Sequence, residues 1–254
     1  MSDRVKLLNE EAERNFRRLK GNPYWGRGVI EGVAPIGRYS MSLYFVMGRS
    51  DNSRNRILVA DGQGNVRTRV ADPRKVTDPS LIIYRAMGGQ SDLYVVSNGE
   101  QTDGVLRADA AGYHWSDGLR AYGYEPDAPN FTSRITGVTN LRGGDGDPIV
   151  SLSILRCSPF NSTCDQELYT YRGLAPGFGR CITTYSGDGS PLPPFDEKPL
   201  LVPINSADTE EVAKSYWGQL DEENRVSLVV RRIDLVTGDR LFHVINQYKR
   251  VAQD

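Results

Sequence analysis

Histidine is nearly absent: the 254 residues contain two, His114 and His243, far apart in the chain. A three-histidine zinc centre is thereby excluded, and a Ser-His-Asp triad would have to draw on one of the pair. Cysteine is scarce as well. Cys157, Cys164 and Cys181 form no CxxC pair, so neither a metal nor a redox motif is legible. The odd count, with no apolar h-region in MSDRVKLLNEEAERNFRRLK, reads as reduced thiols in a cytoplasmic protein. In that setting the sequons at Asn130 and Asn161 carry no glycosylation meaning. No apolar run approaches the ~20 residues that span a bilayer, so no membrane partner is expected. There is also no surplus of charge: the net value is −1, and nothing draws the whole molecule to nucleic acid. Any basic site must be local. GxxxxGK[ST] is missing, and Gly177-Phe-Gly179 lacks the third glycine of a dinucleotide fingerprint. Acid–base chemistry in such a chain falls to carboxylates, tyrosines, lysines or groups tuned by arginine.

What is present is an ordinary globular composition, 39% hydrophobic and 25% charged. Val5, Leu8, Ala12, Phe16 and Leu19 recur at helical spacing, predicting a helix over 3–19 that stops at Gly21-Asn22-Pro23. A second helix is predicted over 208–219, with Asp208 as its cap and Glu211 at the capping-box position. Shorter helices are expected from Asp78-Pro79 and over 104–111. Most of the rest reads as strand: 27–33, 39–47, 56–60, 66–70, 92–97, 132–140, 148–156, 166–172, 179–185, 226–235 and 241–248. Turn signals at Asp61-Gly62, Gly143–Gly146 and Thr237-Gly238-Asp239 separate several of them. Strands do not alternate with long helices, which argues against a doubly wound parallel sheet and for an α+β arrangement of antiparallel sheets. The expected organisation is a helical extension over 1–21 and one domain over 22–254.

Three polar blocks interrupt the strands. In YFVMGRSDNSRNRILV, from Tyr44 to Val59, the arginines Arg49, Arg54 and Arg56 accompany Asn52, Ser53 and Asn55. Arginines at a strand end offer planar donors to phosphate or carboxylate; a solvated loop accounts for the same residues equally well. In LYVVSNGEQTD a strand runs into Ser97-Asn98-Gly99 and then Thr102-Asp103-Gly104. Small residues there let backbone amides approach a ligand, although an ordinary turn is the simpler reading. Tyr84, upstream in DPSLIIYRAMGG, reads as a core tyrosine. In YGYEPDAPNFTSRITG, Glu125 and Asp127 flank a proline, with Asn130, Thr132 and Arg134 beyond. This is either an acid–base site or a plain surface loop.

Taken in order, NPYWGRGVI, YFVMGRSDNSRNRILV, DPSLIIYRAMGG, LYVVSNGEQTD, YEPDAPNFTSRITG and GFGRCITTYSGDGSPLPPF resemble the archaeal-type inosine monophosphate (IMP) cyclohydrolase family and its bacterial relatives. The resemblance covers roughly residues 22 to 195. It implies a four-layer αββα sandwich of two antiparallel sheets, similar to the N-terminal nucleophile hydrolases but without their N-terminal nucleophile. Ser2 precedes a predicted helix and the first strand lies behind more than twenty residues, so amide hydrolysis would require processing of the chain. The activity implied is closure of the purine ring of 5-formamidoimidazole-4-carboxamide ribonucleotide, giving IMP and water, with a purine nucleotide as partner and no cofactor or metal. Carried over residue by residue, the catalytic set is Arg49, Tyr84 and Glu125. The ligand contacts are Arg27, Asn52, Arg54, Asn98, Gly99, Asp103, Asn130, Thr132 and Arg134. Arg49 is expected near the formyl group, Arg54 at the ligand, and Arg56 as a brace for its loop. An exposed sheet edge or helix layer in such a fold admits a homo-oligomer. Departures such as Trp25 and Gln101 keep a second reading open, a purine-nucleotide-binding paralogue or sensor without catalysis.

Overall fold

A computed structural model describes residues 3–75, 82–142 and 148–251. Its central strands are buried on both faces, which places them inside a layered structure. RGVIEGV (β1, Arg27–Val33) is buried at every position. In β2 (Tyr39–Met47) only the first residue is partly exposed. The remaining strands are β3 (Arg56–Ala60), β4 (Val66–Val70), β5 (Arg85–Gln90), β6 (Leu93–Ser97), β7 (Arg134–Asn140), β8 (Ile149–Cys157), β9 (Cys164–Arg172), β10 (Phe178–Thr183), β11 (Leu200–Pro203), β12 (Arg225–Asp234) and β13 (Arg240–Asn246). They form a six-stranded sheet, β11-β10-β1-β2-β12-β13, and a seven-stranded sheet, β3-β4-β5-β6-β7-β8-β9. The pairings within these two orders are antiparallel.

The sheets lie face to face. A Cβ on Gly137 of β7 would come within 2.7 Å of Val29 and 2.9 Å of Glu31 on β1, so glycine permits the close approach. Between the sheets, Glu31, Ser42 and Arg231 stand in one cross-strand row. Glu31 accepts from Ser42 Oγ at 2.7 Å and from Thr139 Oγ1 at 2.8 Å. Arg231 donates to the Gly88 carbonyl and to Ser42 Oγ, both at 2.9 Å. Buried charges need this kind of partnering, and here the partners come from both sheets.

Helices cover the outsides. Helix α3 (Gln101–Ala110) sets Val105 and Leu106 on Leu93, Val95 and Val138 of the seven-stranded sheet. Helix α4 (Thr209–Trp217) packs on β12 and β13. The long N-terminal helix α1 (Asp3–Gly21) runs along edge strand β11, with Leu8 and Ala12 against Phe178 and Leu201. A one-turn helix, α2 (Asp51–Arg54), completes the set of α-helices among the described residues. Architecture and class are those of an α+β sandwich.

The predicted strands form, with ends displaced by at most two residues. Two strands escaped prediction: β5 carries adjacent glycines at 88 and 89, and β11 has four residues ending in proline, both weak signals of strand. Asp208 caps α4 by accepting from Glu210 and Glu211 amides. Glu211 instead accepts from Ser206 Oγ at 2.6 Å, so the capping box is only half made. The helix expected over 104–111 starts earlier, at Gln101. The helix expected at Asp78-Pro79 and the turn at Gly143–Gly146 lie outside the described residues.

Candidate active site

Several strands begin or end at one end of the sandwich and deliver the site. Arg27 is the first residue of β1 and Arg56 the first of β3. Asn98 follows the last residue of β6, and Arg134 opens β7. Arg27, Arg56, Tyr44, Tyr84, Asn98, Glu125 and Thr132 are all buried there.

Local structure fixes each side chain. The polar run after β2 folds into α2, where Ser50 Oγ accepts from the Ser53 amide and Ser53 Oγ from the Ser50 amide. Asn55 then exchanges two hydrogen bonds with the Asp72 backbone, at 2.9 and 2.7 Å, which sets where β3 and Arg56 begin. Tyr84 is held through its backbone by Thr68 Oγ1, and its hydroxyl lies 2.6 Å from that of Tyr44. Glu125 donates its amide to the Thr132 carbonyl at 2.8 Å. Thr132 in turn binds the Asp127 carboxylate and the Tyr185 hydroxyl through Oγ1. Asn98 accepts from the Ile135 amide and Gln101 Nε2, and its own amide donates to the Ser133 carbonyl at 2.9 Å.

The carboxyl of Glu125 lies 3.7 Å from Arg27 Nη1 and 3.4 Å from Asn98 Nδ2. Burial pushes its pKa up, against the pull of Arg27, Arg134 and Arg56. Burial opposes the charge on Arg27, but Glu125 and the hydroxyls of Tyr84, Tyr44 and Tyr24 hold that guanidinium charged. Arg56 is pushed down by burial and by the neighbouring Arg27. Its Nε and Nη1 are buried without a hydrogen-bond partner among the described residues, and so is Arg27 Nε. Arg27 thus has one close carboxylate, and Arg56, among the described residues, has no ion-pair partner. Such an arrangement invites an anion or a developing oxyanion, since an unpartnered buried donor is costly. A carboxyl with a raised pKa and a pair of tyrosine hydroxyls stand beside it, groups of the kind that can carry protons.

The other residues picked out from the sequence divide into three groups. Gly99 and Arg134 belong with the cluster. A Cβ at Gly99 would fall on the Arg134 guanidinium, and Arg134 reaches Gln101 Oε1 at 3.3 Å. Arg49 lies at the rim: exposed, paired with Asp188, and 4.9 Å above the ring of Tyr24, which stacks on Tyr185. The rest are occupied elsewhere or stand apart. Arg54 donates to the Gly48 carbonyl and Asn224 Oδ1, lining a separate cleft of about 300 Å3 with Asp51, Lys75 and Lys249. Asp103 pairs with Arg85 at 3.1 Å, and Asn130 accepts from the Leu192 amide. Asn52, in α2, buries its amide oxygen without a partner among the described residues. Arg54 secures the loop, while Arg56, expected as its brace, faces the buried cluster. Tyr44, Arg56 and Tyr185 went unselected, although the inward phase of YFVM was a signal for Tyr44.

Among the described residues, no three or more His, Cys, Asp or Glu side chains gather as a metal site, and no helix is long and apolar enough to cross a membrane. A sequence profile of the family described as IMP cyclohydrolase-like protein matches residues 24–239, spanning all the residues of the cluster. No curated protein matches the chain.

Proposed function

The chain belongs to the IMP cyclohydrolase-like family, and we propose that it catalyses the ring closure itself, converting 5-formamidoimidazole-4-carboxamide ribonucleotide to IMP and water. The observation that carries this reading is the pair of buried arginines, Arg27 and Arg56, with unpartnered nitrogens beside a carboxyl of raised pKa.

In the reaction a carboxamide nitrogen attacks a formyl carbon, and the amide is a poor nucleophile. Holding both groups in attacking geometry supplies much of the acceleration. Negative charge gathers on the formyl oxygen as the new C–N bond forms. Arg56 and Arg27 are the donors for it, in a site whose burial strengthens their effect. Glu125 and the Tyr84–Tyr44 pair share the remaining work. They pass the carboxamide proton to the oxyanion, giving a hydroxyl, and the formamide N–H proton to that hydroxyl, which leaves as water as the ring C–N double bond forms. The raised pKa of Glu125 brings its protonated form closer to neutral pH. Arg134 and the rim residue Arg49 suit the ribose phosphate, which needs charge but no deep burial. None of these steps calls for chemistry that the side chains cannot supply.

The test is ring closure followed by the ultraviolet absorbance that separates purine from imidazole. Glu125→Gln is expected to lose turnover by two or more orders of magnitude while still binding IMP in calorimetry. Wild-type turnover in this variant would overturn its assignment. IMP binding by the wild type with no absorbance change on fresh substrate would make the protein a nucleotide-binding relative without catalysis.

A further inference from the structure

Strands β8 and β9 end in a direct cross-strand pair, Cys157 opposite Cys164. Both are free thiols, Cys164 exposed and Cys157 partly so. One step further, the Ser158 amide donates to the Thr163 carbonyl at 2.9 Å. Hydrogen-bonded and non-hydrogen-bonded pairs alternate along an antiparallel ladder, so Cys157 and Cys164 occupy a non-hydrogen-bonded pair. There Cα atoms stand about 4.5 Å apart, inside the range of roughly 4.4–6.8 Å that a disulfide accepts.

The same two sulfurs touch the loop that carries Glu125. The Tyr124 hydroxyl lies against Cys157 and its backbone amide against Cys164. A Cβ on Gly123 would meet Cys164 at 3.7 Å. Tyr124 also donates to the Ser162 carbonyl at 3.0 Å, within the hairpin the cysteines flank, and its ring meets Phe131 edge-on at 5.5 Å. Glu125 follows directly, bonded to Thr132 beyond Phe131.

We infer that Cys157 and Cys164 are a modification site: a small-molecule disulfide oxidises them to a cross-strand disulfide, which loosens Tyr124 and lowers the activity of the adjacent Glu125. The regulatory half of this rests on the ring-closure reading. The exposed Cys164 attacks a sulfur of the oxidant and expels one thiol, leaving a mixed disulfide. Cys157 then attacks the Cys164 sulfur and expels the second thiol. The two protein S–H protons end on the two released thiols, and two electrons pass from protein to oxidant. Intracellular disulfides of this kind are characteristically transient and sensing rather than structural. Cys181, fully buried in the other sheet, takes no part.

Oxidised glutathione is the probe. Intact mass and peptide mapping should show the loss of two hydrogens and a 157–164 link. Hydrogen exchange at the Tyr124 and Glu125 amides should rise several-fold, turnover should fall several-fold, and dithiothreitol should restore both. Cys157→Ser should keep its turnover under the same treatment. A stable glutathione adduct on Cys164, closure that leaves exchange unchanged, or closure that leaves the turnover of an active protein unchanged, overturns the inference. Closure with altered exchange in a protein that never turns over substrate supports the modification site and sinks the ring-closure reading instead.

Discussion

At the scale of single residues, the arginines of YFVMGRSDNSRNRILV separate by what they already hold. Arg49 is satisfied by Asp188 and Arg54 by backbone and Asn224, while Arg56 has nitrogens to spare. Hydrogen bonds to charged groups contribute about 1.5–3 kcal/mol, or roughly one to two powers of ten in rate. Arg56→Lys should therefore lower kcat/KM by about 10- to 100-fold, whereas Arg54→Lys should leave it within a few-fold; parallel steady-state kinetics decide the order. Gly99 is the second case. Any side chain there displaces Arg134, so Gly99→Ala should raise KM with little change in thermal midpoint. Neither assignment was readable from residue type. Both Arg54 and Arg56 are arginines in one loop, and only the turn of α2 decides which points inward.

Among the elements, the contact between sheets is where polar chemistry carries structural weight. Burial pushes the Glu31 carboxyl up from 4.5 to about 7, with Arg231, Ser42 and Thr139 pulling against it. The folded protein then holds a proton over this window that the unfolded chain gives up. Its contribution to stability is complete below about pH 4.5 and is lost as pH rises through about 7. Urea midpoints should accordingly decline across that window, and Glu31→Gln should flatten the decline. Removing the partner is the harsher change, because Glu31 loses the cation that offsets its burial and a large buried side chain is lost. Arg231→Ala should cost about 3–5 kcal/mol in urea unfolding, with loss of the ties to Gly88 and Ser42. The apolar alternation on either side made β1 and β12 legible as strands. That Glu31 and Arg231 meet between the sheets was not legible, since some two hundred residues separate them.

On the scale of the whole molecule, the sandwich is closed differently along its two sides. Near β3 and β13, Asn246 exchanges hydrogen bonds with Leu58 at 2.9 and 3.0 Å, tying the two sheets. On the other side α1 runs along β11. Asn15 donates to the Leu201 carbonyl, Trp25 Nε1 donates to that of Leu19, and Phe16 packs edge-on against Tyr216 at 5.0 Å. Covering an edge in this way also guards it against pairing with other chains. Phe16→Ala should destabilise the protein by about 3–5 kcal/mol, read from the urea midpoint. The exposed Arg18–Glu197 pair should contribute under about 1 kcal/mol.

The sequence by itself determined the class of architecture, because period-two burial and turn residues are local properties that each strand declares alone. It also determined the family, because several polar blocks in one order carry more information than any one of them. Glu125, Asn98 and Arg27 were within reach for the same reason. Tertiary structure alone decided which charges are left over. Whether an arginine is spent on a carbonyl, paired at the rim or buried without a partner depends on neighbours brought from other strands. Desolvation, which raises Glu125 and Glu31 alike, is likewise a property of the packed layers and of no residue in isolation.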